Sequence, residues 1–238
     1  MSLTRDATTR IRDAIVSGRL GFGEALSESQ LAAALGMSKA PVRAALIELR
    51  EKGLVTIAPQ AGSFVCSPSA DDIIRLSSFR CLIETEGMQC ALREHADLMV
   101  SELATAVGRM AASRKSQDGS GYIAADTAYH FTFIKLSDNR FLEQAYDLVS
   151  GIVEALRVRL FNAGQSFRQK SFADHVAILK CLQSADFPTA ARILNDHIMR
   201  TRQLLEVVPS PQPPKSRRVN KTHEQYRELF RTDAKRWL

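Results

Sequence analysis

Leu26-Ser27-Glu28-Ser29-Gln30-Leu31-Ala32-Ala33-Ala34-Leu35-Gly36-Met37-Ser38-Lys39-Ala40-Pro41-Val42-Arg43-Ala44-Ala45-Leu46 is the stretch on which the fold turns. Ser27 to Gln30 has the form of a capping box, so a helix starts there and buries Leu31, Ala34 and Leu35. Gly36 stops it. Ser38 then opens a second helix with Pro41 in the first turn, where a missing N–H costs nothing. Val42, Ala45, Leu46 and Leu49 recur at helical spacing along one face, and Gly53 closes the element. Two short helices joined by a glycine turn form a helix-turn-helix, in which the second helix offers its N-terminal residues to the major groove of DNA.

Working outward, Thr8–Val16 reads as a preceding helix ended by Gly18. Leu54–Ile57 and Ser63–Val65 read as two strands joined through Pro59-Gln60-Ala61-Gly62, a hairpin. Residues 1–66 are therefore expected to form a winged helix-turn-helix. Ser38, Lys39, Ala40 and Arg43 head the reading helix: Lys39 and Arg43 are four apart and share a face, and Lys or Arg to guanine is the commonest specific base contact. Gly62 in the wing lets the backbone come close to a neighbouring minor groove. An isolated Lys/Arg pair would read as a solvated face; the surrounding layout gives it a groove to enter.

Ser67-Pro68-Ser69 is a brief hinge, and from Ala70 to about Val208 the pattern is helical almost throughout. The expected spans are 70–95, 98–115, 122–137, 140–163, 168–184 and 187–207, an all-α bundle. Pro209-Ser210-Pro211-Gln212-Pro213-Pro214 cannot continue a helix and reads as a stiff linker. Residues 209–238 form this linker and a basic tail, whose last part, His223–Leu238, is open to either a basic amphipathic helix or disorder. The fold class is mainly α, with two domains and a tail.

The net charge of +6 is unevenly placed. Residues 215–238 hold eight Lys/Arg against three Asp/Glu, and residues 1–65 eight against six, so the ends attract polyanions while the middle is about neutral. The four cysteines form no CxxC pair and read as reduced, apolar-helix residues, which excludes a disulfide framework and thiol chemistry. No apolar run reaches the roughly 20 residues needed to span a bilayer, and the first residues lack the core of a secretion signal. The expected location is the cytoplasm, with no membrane partner.

In the helical region, Asp126 and His130 are i and i+4, on one face of one helix. His175 and His197 lie 22 residues apart on successive helices of a hairpin, which can bring them opposite each other. Singly, each histidine reads as an ordinary core or surface residue. Together, one carboxylate and three imidazoles suit a borderline divalent transition metal such as zinc, nickel or manganese. A metal with an open place can also activate water, so a hydrolase stands beside the sensor reading. Against it, no HExxH or nucleophile motif is present, and no unclaimed base lies near the ligands in sequence. A purely structural metal is a third reading.

The N-terminal pattern Gly18-Arg19-Leu20…Leu26-Ser27-Glu28…Leu31-Ala32…Leu35-Gly36-Met37-Ser38-Lys39-Ala40-Pro41-Val42-Arg43…Gly53-Leu54-Val55 resembles the GntR-family DNA-binding domain. It departs at Lys39-Ala40, where Arg-Thr is usual, and at Phe22, where Pro is usual. Asp126-Thr127-Ala128-Tyr129-His130, with Asn139 and Leu142, then Asp174-His175…Ile178 and His197-Ile198, resembles the FCD domain of one GntR subgroup over about residues 70–207. That resemblance implies that Asp126, His130, His175 and His197 hold the metal and that a small organic acid completes its coordination. It also implies, through the Arg80-Cys81-Leu82-Ile83-Glu84 element, that Arg80 faces the effector; an ordinary i,i+4 ion pair with Glu84 reads equally well. The family further implies a homodimer on a palindromic double-stranded operator, more often as a repressor. No enzymatic activity is expected.

Overall fold

The computed structural model describes residues 2–162, 164–202 and 221–231. Helix α1 (Leu3–Val16) starts earlier than the apolar pattern suggests, because the Ser2 side chain accepts from the Arg5 N–H and caps it. After β1 (Ala25–Leu26) come α2 (Glu28–Leu35) and α3 (Lys39–Glu51), then β2 (Val55–Ala58) and β3 (Gly62–Val65). Ser27 caps α2 by accepting from Gln30 N–H at 3.3 Å. Ser38 stands at the N-cap of α3 and makes no capping hydrogen bond with its side chain. Gly36 turns the chain between α2 and α3 at φ 68°, left-handed backbone that a Cβ would strain.

The sheet order is β1-β3-β2, antiparallel throughout, with Ala25 opposite Phe64 and Thr56 opposite Phe64 from the other side. The wing hairpin is as read from the sequence. The short strand β1 is not: its two residues give no alternation to read, and it exists because β3 offers a free edge. Ile11, Ile15, Leu20, Leu31, Leu46, Leu49 and Leu54 are essentially fully buried and join the helices to the sheet. Truncating one such leucine to alanine costs about 2–5 kcal/mol.

After the head come α4 (Ala70–Glu94), α5 (Ala96–Ser116), α6 (Gly119–Lys135), α7 (Arg140–Asn162), α8 (Gln165–Gln183) and α9 (Phe187–Met199). Contacts divide the chain into two compact units: one takes in Met1–Ser69, Leu148–Ala155 and α10 (His223–Arg231), the other Ala70–Asp147 and residues 156–202. In the second, α5 packs on α6, α8 on α9, and α4 against both α6 and α9. Met88, Met99, Leu103, Tyr129, Phe133, Ile178 and Leu194 fill its core. Where α4 meets α6 the backbones nearly touch: a Cβ on Gly87 would stand 2.8 Å from the Phe133 carbonyl oxygen. The tail beyond the linker is helical over His223–Arg231; residues 209–220 and 232–238 lie outside the described residues.

Candidate metal centre and nucleic-acid face

Ser38, Lys39, Ala40, Arg43 and Gly62 are all exposed, the first four at the start of α3 and Gly62 at the start of β3. Arg43 does not hang free. Its Nε and Nη2 donate to Glu28 Oε2 at 3.0 and 2.9 Å, which holds the guanidinium beside the start of α2 and keeps it firmly charged. Ser38 leaves its hydroxyl and the first-turn N–H groups of α3 for an outside acceptor, the arrangement that suits a phosphate.

Asp126 and His130 on α6, His175 on α8 and His197 on α9 come together: one donor atom from each lies within 4.8 Å of the others. His130 Nε2 is 3.3 Å from both His175 Nε2 and His197 Nε2, and His175 Nε2 is 3.4 Å from Asp126 Oδ1. Metal–nitrogen bonds of about 2.1 Å set neighbouring ligand nitrogens about 3.0–3.4 Å apart. The spacing fits one ion.

Proton placement makes the same point. His130 Nδ1 lies 2.6 Å from the Glu84 carboxylate, so Nδ1 carries the hydrogen and Nε2 presents a lone pair. His197 Nδ1 faces Asp174 Oδ2 at 3.4 Å, which turns its Nε2 to the same point. Two lone pairs directed at each other across 3.3 Å repel unless a cation sits between them. Burial first, then the neighbouring arginines, hold His130 well below its ordinary pKa. Burial and then His197 bring His175 down to about 3. Burial, against the pull of Asp126, brings His197 to about 4. Burial would raise Asp126, but His175 and Arg157 outweigh it and leave it at about 2. Neutral imidazoles and an ionised acid are the forms that bind a metal.

The sequence reading missed much of the support. Glu84 on α4 is fully buried, taking the Arg80 Nε hydrogen at 2.7 Å as well as that of His130. Asp174 is held by Lys170 at 2.9 Å and by Arg200. Arg157 on α7 pairs with Asp126 Oδ2 at 3.0 Å, leaving Oδ1 towards the histidines. The sequence carries no local signal for Arg157, since Glu154 and Arg159 are charged within the same helical stretch.

Beside the four donors a cavity of about 480 Å³, its open mouth included, is lined by Arg80, Arg157, Arg168, Tyr122, Phe161 and Phe167 among others. Asp126, His130 and His197 form part of its wall. Arg80 is thus both the ion-pair partner of Glu84 and part of the cavity wall. The Arg157 Nη2 atom is buried with no aligned hydrogen-bond acceptor.

Residues 3–65 match the family described as bacterial regulatory proteins, gntR family, and residues 75–200 match the FCD domain. An HTH-type transcriptional regulator from an unstable DNA locus of Streptomyces ambofaciens is 27% identical over 97% of this chain and 90% of its own. The gluconate operon transcriptional repressor of Bacillus subtilis is 24% identical, covering 74% of each chain. The repressor RspR of Escherichia coli is 27% identical over 79% of this chain and 82% of its own. Among solved structures, a GntR-type protein of Rhodococcus sp. RHA1 superposes with a TM-score of 0.74 at 24% identity, covering 88% of this chain and all of the other. Escherichia coli McbR/YncC does so at 0.72 and 19%, covering 87% and 98%. These two likenesses speak for the fold.

Proposed function

Because this chain belongs to the gntR family of bacterial regulatory proteins and carries an FCD domain, we propose that a small organic acid at a divalent metal sets its affinity for operator DNA. The observation that carries the proposal is the meeting of Asp126, His130, His175 and His197 beside a cavity whose wall takes in three of them and three arginines. The ion would be held by those four residues and, when bound, would supply a Lewis-acid seat for a carboxylate. Zinc, nickel and manganese all suit three imidazoles and one carboxylate.

The chain's own residues do the rest. Arg80, Arg157 and Arg168 give the cavity wall the charge a carboxylate needs. The Arg157 Nη2 hydrogens, buried and without an aligned acceptor, have the most to gain from an incoming oxygen. Tyr122, Phe161 and Phe167 supply an apolar side, so a short acid with a small carbon body fits better than inorganic phosphate. At the other end, Ser38, Lys39, Ala40, Arg43 and Gly62 form the surface for the duplex. A homodimer would carry two such heads to half-sites of a palindrome about one turn apart. An acid that binds one arrangement of the heads better than another shifts the population towards it and so represses or releases.

A thermal-shift screen of short carboxylic acids, with and without a chelator, tests the reading. The expected result is a set of acids that raise the melting temperature only when metal is present, and that alter binding to a duplex selected from random sequence. His175→Ala with His197→Ala should abolish both metal retention and the acid's effect. Stabilisation that survives chelation, or a double variant that keeps its metal, would overturn the assignment.

A further inference from the structure

Neither family match extends past residue 200, yet the structure places a helix well beyond that point, His223–Arg231. Tyr226 and Phe230 are four apart and leave the same face. Both are buried, at 0% and 3% exposure, within the core that holds Ile11, Ile15, Leu31 and Leu35. A tail that merely solvates itself does not bury two aromatic rings.

The polar contacts are specific. The Tyr226 hydroxyl donates to the Ala25 carbonyl at 3.3 Å, and Lys221 Nζ pairs with Glu24 at 2.6 Å. Arg19 Nη1 donates to the Leu229 carbonyl at 2.7 Å, and the Arg10 guanidinium lies 5.3 Å from the Phe230 ring centroid. Two of these contacts take hold where β1 begins. Ala25 and Leu26 pair with Phe64 and Ser63 of β3, and the Val65 N–H donates to the Glu24 carbonyl at 2.8 Å. Strand β3 is half of the wing hairpin. Two contacts therefore lead to the wing, one from α10 and one from Lys221 just before it, all within one compact unit.

We propose that α10, with Lys221 just before it, is a positioning element of the DNA-reading head: by gripping Glu24 and Ala25 it fixes β1, and through β1 the wing strand. The proposal rests on the reading of residues 1–66 as the part that binds DNA. It makes the head a four-helix body whose last helix arrives from the far end of the chain. The wing's aim then depends on residues that no alignment to the head alone would include.

Full-length variants test this against a duplex selected from random sequence by the wild-type chain. Lys221→Gln with Tyr226→Phe keeps the rings buried but cuts both tethers. It should weaken duplex binding by about threefold or more, with little change in melting and unchanged metal content. Tyr226→Ala with Phe230→Ala should undock the helix, lower the head's melting by more than about 10 °C and weaken binding further. A synthetic peptide spanning residues 219–232, added to that double variant, should restore binding by filling the vacated groove. Wild-type affinity in both variants would overturn the proposal, as would lost stability with no lost affinity. A wild-type chain that selects no duplex overturns the DNA reading as well, which separates the two failures.

Discussion

His130 Nδ1 rests against Glu84 at 2.6 Å, and that contact decides which nitrogen is left to face His175 and His197. Replacing Glu84 by Gln should therefore reduce metal affinity roughly 10- to 100-fold without removing a donor. Competition with a chromophoric chelator measures this, and unchanged affinity would show that Glu84 only neutralises Arg80. The buried imidazoles also set a pH dependence. With His175 at about 3 and His197 at about 4 in the fold, the unfolded chain takes up protons below the ordinary value of 6.5 that the folded chain refuses. The metal-free protein should thus keep its full stability above pH 6.5 and lose it progressively towards pH 4, read as a falling melting temperature; a flat profile would place the histidines in water. At this scale the sequence was uneven. Asp126 and His130 are legible from their one-turn spacing, and His175 and His197 from the family pattern. Glu84 could be seen only as a partner for Arg80, because its bond to His130 crosses between two helices whose register no local pattern reveals.

Helix boundaries are the most legible elements, since glycine, proline and capping residues act locally. The stops at Gly36 and Gly53 stand where composition puts them, and Asp186 caps α9 with Pro188 in its first turn. Two elements escape such reading. Strand β1 is two residues long and owes its existence to a partner nearly forty residues away. Helix α10 has a clear amphipathic pattern, but nothing in that pattern says what covers its apolar side; the answer is tertiary. The turn at Gly36 gives a test of the local logic. No atom lies within 4 Å of a Cβ added there, so Gly36→Ala meets only the cost of its left-handed backbone, about 1–2 kcal/mol. Denaturant titration should show that loss. A loss of several kcal/mol more would mean that the turn is packed.

The whole molecule is built of two compact units. Among the described residues the metal-competent cluster lies in the α4–α9 unit alone. Chelation should accordingly shift one calorimetric transition by several degrees and leave another in place, as expected of a chain whose domains melt separately. A single transition that moves as a whole would instead mean tight energetic coupling. The closeness of α4 and α6 at Gly87 carries a genetic consequence. Glu84 sits one turn before that glycine, and His130 one turn before Phe133, the residue whose carbonyl it touches. One methyl at position 87 would pry the helices apart at the point where the carboxylate meets the imidazole. Under the proposed function its phenotype would be that of an effector-blind allele, whose product still grips its promoter but no longer answers to the organic acid.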